Sequence, residues 1–191
     1  MATVAETHTN QGGYSRLSIN QIGIWMFFLS ETFLFGALIS TRFYLQGFET
    51  PEHVDQVLGL GITIILLASS FTAYRTEAAI AHGDHKGFQI NLLITILLGA
   101  LFIGGVGYEW YEAYLHFPPS TGYGTVFFTI TGIHATHVLS GVIMLTLVYF
   151  LGRKPDRWGP EGSWGVEATV KYWHFVDVAW FFIYPTLYLL G

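Results

Sequence analysis

Five apolar stretches dominate this chain, at about 19–44, 57–74, 88–114, 124–151 and 168–190. Each is close to or beyond the ~20 residues that a helix needs to cross ~30 Å of hydrocarbon. Backbone N–H and C=O groups in hydrocarbon must be satisfied within the structure, so the stretches read as helices. Only 11% of the residues are charged, against about 25% in a soluble domain. The expected fold is therefore all-α: one polytopic membrane domain, 19–191, of five transmembrane helices. A polar N-terminal tail, 1–18, precedes it and lacks the apolar core of a signal peptide.

The cations assign an orientation. With five spans, Arg16, Arg75, Lys86, Arg153, Lys154, Arg157 and Lys171 fall on one side and Arg42 alone on the other. The positive-inside rule then puts the N-terminus inside and the C-terminus outside. The net charge of −5 and the lack of a basic stripe argue against nucleic acid. The absence of cysteine removes disulfides, thiolate-bound copper and iron–sulfur clusters.

Ionisable residues inside the spans are the candidate functional groups, because a charge in hydrocarbon costs about 2.5–3.5 kcal/mol even on insertion scales. They are Glu31, His134, His137, His174 and Asp177. At 1.5 Å per residue, Glu31 and His134 both fall near the midplane, and Asp177 and His137 both lie about 10 Å from the inner face. The pairs Glu31–His134 and Asp177–His137, with His174 nearer the surface, are expected to form one polar seam. Glu109 and Glu112 sit in an aromatic run, GYEWYEA, that reads as an outer interface belt with no need of buried partners.

Three readings of the seam remain open on these residues. It is hydrogen-bonded glue between helices. Or its histidines ligate a haem or metal, which the lack of Cys and of HExxH does not support. Or Glu31 is a working protonatable group, the default for a lone carboxylate at that depth. A small proton-coupled transporter would fit the third, although internal repeats are not evident.

Four runs resemble the signatures of subunit III of the haem–copper terminal oxidases, in the family's order. They are FFLSETFLFG (Phe27–Gly36), GYEWYEA (Gly107–Ala113), FFTITGIHATHVLSG (Phe127–Gly141) and YWHFVDVAW (Tyr172–Trp180). The resemblance implies a bacterial plasma-membrane subunit of the five-helix form, without catalytic residues, haem or copper of its own. Those cofactors are expected in partner subunits, with catalytic subunit I and subunit II as partners. It further implies support of proton uptake, association with phospholipid, and a carbodiimide-reactive carboxylate at Glu31. His134, His137, His174 and Asp177 also match motif positions. Cytochrome c is the preferred electron donor; a quinol oxidase or a nitric oxide reductase-associated homologue is the alternative. Longer members carry two further N-terminal helices, and their lipid cleft lies between those and the other five.

Overall fold

The computed structural model describes residues 15–47, 55–154, 157–159 and 163–190. They form five α-helices: α1 (Arg16–Gln46), α2 (Gln56–Ala81), α3 (His85–His116), α4 (Gly122–Leu151) and α5 (Trp164–Tyr184). No strand occurs among the described residues. The expected tail 1–18 and the loop from Gln46 to Asp55 lie largely outside them. The first four helices each begin at a side-chain cap. Ser15, Asp55, Asp84 and Thr121 accept from backbone N–H groups that the helix leaves free.

Helices α1 to α4 are long and apolar enough to cross a membrane; α5 is not. Its sequence carries Glu167, Lys171, His174 and Asp177, and it turns most of its length into the bundle. Lys171 pairs with Glu167 one turn away. The apolar groups that a soluble protein would hide face outward instead: Trp25, Phe33, Phe71 and Phe181 are all exposed. That surface is suited to lipid.

Two helix ends differ most from the apolar-run expectation. Helix α2 continues past Tyr74 to Ala81, because Thr76 and Ile80 extend its buried face beyond the apolar stretch. Helix α5 ends at Tyr184, short of the expected 190. Pro185 lacks an N–H, and the chain passes into a π turn over Pro185–Leu189, in which the Leu190 N–H donates to the Pro185 carbonyl at 3.0 Å.

Trp173 of α5 is the central peg. It is fully buried, and its indole N–H donates to Ser69 Oγ of α2 at 3.0 Å. Gly99 of α3 and Gly141 of α4 face its ring, where a methyl group would lie 2.6 and 2.7 Å from it. Helix α1 joins by a narrower seam, burying Phe28, Phe35 and Arg42 at seven-residue intervals.

Candidate functional site

The starts of α1, α3 and α5 and the ends of α2 and α4 share one end of the bundle. Glu31 lies midway along α1 and His137 midway along α4. Glu31 Oε2 is 3.1 Å from His137 Nε2, and both side chains keep slight exposure, 18% and 17%. His137 Nδ1 lies 2.8 Å from the Ile133 carbonyl. A carbonyl can only accept, so Nδ1 carries a hydrogen. The contact with Glu31 then requires one further proton, held on Nε2 or on the carboxyl. Glu31 and His137 thus form one hydrogen-bonded unit between the middles of α1 and α4. Tyr172 of α5 braces it: its hydroxyl bonds Ser140 Oγ at 2.6 Å and donates to the His137 carbonyl at 3.2 Å.

The remaining expected residues fall elsewhere. His134 is fully buried, stacked on Trp180 at 4.8 Å and edged by Phe35 and Phe102, and neither ring nitrogen has a hydrogen-bond partner. His174 Nδ1 bonds Ser70 Oγ of α2 at 2.6 Å. Asp177 is buried beside Ser70, but neither carboxyl oxygen has a partner within hydrogen-bond geometry. The pairs Glu31–His134 and Asp177–His137 therefore do not form. Helix α1 starts at Arg16, earlier than its apolar run, which leaves Glu31 level with His137 rather than His134. Three residues of helix also rotate a side chain by about 60°, enough to send His137 to α1 and His134 into the core.

A second polar cluster occupies the opposite end. Arg42 is buried over the Tyr123 ring at 5.2 Å and donates to the Gly47 carbonyl at 2.8 Å. Tyr123 donates to the Leu187 carbonyl at 2.6 Å, and Gln56 to the Tyr188 carbonyl at 2.9 Å. These side chains satisfy carbonyls that the end of a helix leaves free. Glu109 is only 5% exposed and accepts from Tyr188 Oη at 2.7 Å. The interface reading of Glu109 is thus corrected, while Glu112 stays half-buried. A signal was present in the sequence. Glu109 continues the series Phe88, Leu92, Thr95, Gly99, Phe102, Val106, spaced by three and four, and Glu112 does not.

Among the described residues, no three His, Cys, Asp or Glu side chains are placed to hold a metal ion. A groove of about 620 Å³ opens between α1 and α5, lined by Trp25, Phe28, Thr32, Lys171, His174 and Phe175 among others. A smaller hollow of about 290 Å³ along the same two helices shares Thr32, Phe175 and Val178 with it.

The family model for cytochrome c oxidase subunit III matches residues 2–191. Cytochrome c oxidase subunit 3 of Thermostichus vulcanus is 32% identical over 88% of this chain and 86% of its own length. Cytochrome c oxidase subunit 3 of Corynebacterium diphtheriae is 32% identical, over 92% and 90%. Quinol oxidase subunit 3 of Bacillus subtilis is 34% identical, over 91% and 88%. With all five helices inside that match, the chain belongs to the cytochrome c oxidase subunit III family.

Proposed function

We propose that this chain is the non-redox subunit III of a proton-pumping haem–copper oxygen reductase. It packs beside catalytic subunit I, with subunit II in the same complex, in the bacterial plasma membrane. It stabilises subunit I and supports proton uptake from the inner side, and it has no catalytic activity alone. The observation that carries this reading is the family match over residues 2–191.

The geometry supports it. We read residues 19–191 as one membrane domain behind the polar tail, with α5, less apolar than the other four helices, as its fifth span. The bundle end bearing Arg16, Arg75, Lys86, Arg153 and Lys171 faces inward under the positive-inside rule. Haem and copper belong to the partner subunits, as membership of the subunit III family implies. The Glu31–His137 unit is the protonatable element. His174, Asp177 and Glu109 act in packing. The groove between α1 and α5 suits the phospholipid associated with the family, open to the bilayer on its outer side. Cytochrome c is the preferred donor. Quinol is the second reading, since a quinol oxidase subunit 3 from Bacillus spizizenii is 35% identical.

The test is purification of the complex through this chain, with an optical spectrum. Haem is expected in the complex and absent from the chain alone; a haem spectrum from the lone chain would overturn the reading. In the same complex, Glu31→Gln is expected to keep the subunit bound and the initial oxygen-consumption rate unchanged, but to shorten the turnover lifetime. A wild-type rate, pH profile and lifetime would remove the protonation role.

A further inference from the structure

Where α2 begins and α3 ends, at the end of the bundle that holds Arg42 and Tyr123, three acids face one small cavity. Asp55 caps α2, and Glu109 and Glu112 lie one turn apart near the end of α3. Phe127 of α4 and Tyr188 of the π turn complete the walls. The cavity measures about 20 Å³, room for one particle the size of a water molecule. It shares no residue with the groove between α1 and α5.

The oxygens around it select a cation. Glu109 is 5% exposed; its Oε1 accepts from Tyr188 Oη at 2.7 Å, while Oε2 is buried with no hydrogen-bond partner. Asp55 uses Oδ1 to accept from the Leu58 N–H at 2.9 Å, which leaves Oδ2 for a ligand. Among the described residues, none of the three acids makes an ion pair and no basic side chain lines the cavity. Ala113, in the last turn of α3, lies on the wall, so the negative end of that helix's dipole adds to the carboxylates. A buried acceptor without a donor is destabilising, and like charges around one small space repel. A positive ion offsets both.

Size and geometry select which ion. The three acids do not form a ready cluster of three metal ligands, so two of them share the ion with water on the exposed side of Asp55. Mg²⁺ demands near-ideal octahedral geometry and keeps several of its waters, a shell too large for this space. Ca²⁺ accepts irregular sets of carboxylate and water oxygens. We infer that the cavity binds one Ca²⁺ ion between Asp55 Oδ2 and Glu109 Oε2, with Glu112 at its rim. The ion fastens the start of α2 to the end of α3 and, through Tyr188, to the π turn. The inference goes beyond the subunit III assignment, in which Glu109 serves packing alone, and depends on neither the electron donor nor the Glu31–His137 unit.

The test is amide hydrogen exchange of the intact complex, stripped with a chelator and read by mass spectrometry of peptides from this chain. Adding about 10 mM CaCl₂ is expected to slow exchange in the π turn Pro185–Leu189 about tenfold, the factor for a site of ~1 mM affinity. The start of α5, at the other end of the bundle, should not change. MgCl₂ at the same concentration, and choline chloride at the same ionic strength, should have little effect. Glu109→Gln keeps an acceptor for Tyr188, and Asp55→Asn keeps the cap of α2; each should abolish most of the slowing. No slowing by CaCl₂ in the wild-type complex, or slowing that survives Glu109→Gln, would overturn the site. Equal slowing by MgCl₂ or choline chloride would reduce the effect to charge screening and overturn it too. Should Glu109→Gln fail to assemble, Asp55→Asn, on the exposed side of the cavity, decides. Any of these failures leaves the haem spectrum of the complex, and so the subunit III reading, untouched.

Discussion

Adding one methyl group at Gly141 should loosen the whole bundle, because Trp173 has nowhere to go. A Cβ there would stand 2.7 Å from Cε3 and 2.9 Å from Cζ3 of the indole. Carbon contacts are comfortable at about 3.5–4.0 Å, so the shortfall is close to 1 Å. The ring cannot retreat towards α3, where the α-carbon of Gly99 already leaves no room for a methyl group. Nor can it slide without stretching the 3.0 Å bond to Ser69, worth about 1 kcal/mol net. Overpacking of this kind costs about 1–3 kcal/mol, against at most ~1 kcal/mol gained from the better helix propensity of alanine. Gly141→Ala is therefore expected to destabilise by about 1–3 kcal/mol. Unfolding of the chain in mixed micelles of rising SDS content, followed by far-UV circular dichroism, measures it. Gly104→Ala is the control, since nothing lies within 4 Å of the added methyl. Trp173→Phe should relieve the strain, so the double variant should be less destabilised than the sum of the singles by at least about 1 kcal/mol. If Gly141→Ala matched Gly104→Ala, or the double variant were simply additive, the peg would not bear on Gly141.

Asp177→Ala should cost less than about 1 kcal/mol in the same assay, because neither carboxyl oxygen makes a well-formed hydrogen bond and the neighbouring Ser70 hydroxyl is engaged with His174; a loss of several kcal/mol would reveal a partner. Tyr188→Phe should cost about 1–3 kcal/mol by leaving Glu109 buried without its donor, and Glu112→Gln should lie within about 0.5 kcal/mol of wild type. Equal effects of those two would refute the buried placement of Glu109. Tyr123→Phe should speed amide exchange around Leu187, since the carbonyl it caps anchors the π turn; unchanged exchange there would deny the capping role.

The helical class was legible because hydrocarbon leaves a backbone few choices, and the apolar runs mark where those choices apply. They mark helix ends poorly. A helix can outlast the apolar run, as α2 does through Thr76 and Ile80, and an early start such as Arg16 shifts every depth measured along α1. That shift, more than any misjudged residue, exchanged the partners of Glu31. Face was a better guide than depth. On α4 the buried positions Phe127, Ile130, Thr131, His134, Val138 and Gly141 form one stripe. His134 belongs to it and His137 does not, so the first goes to the core and the second to a neighbouring helix. Likewise Arg42, read from sequence only as the lone cation of its side, falls on the seven-residue series of Phe28 and Phe35. The Ser70–His174 bond left no such trace, since α2 offers several serines and threonines at that level.

The level placement of Glu31 and His137 has an electrical meaning. Moving a charge across the whole membrane costs about 2.3 kcal/mol per 100 mV, but only travel along the field counts. If the pair passes a proton, as the proposed function has it, the transfer between Oε2 and Nε2 spans 3.1 Å, at most about a tenth of the ~30 Å of hydrocarbon. It therefore does almost no work against the transmembrane voltage. A proton equilibrium inside the pair would then be nearly blind to how strongly the membrane is energised, with almost the same set-point in a resting cell and a respiring one.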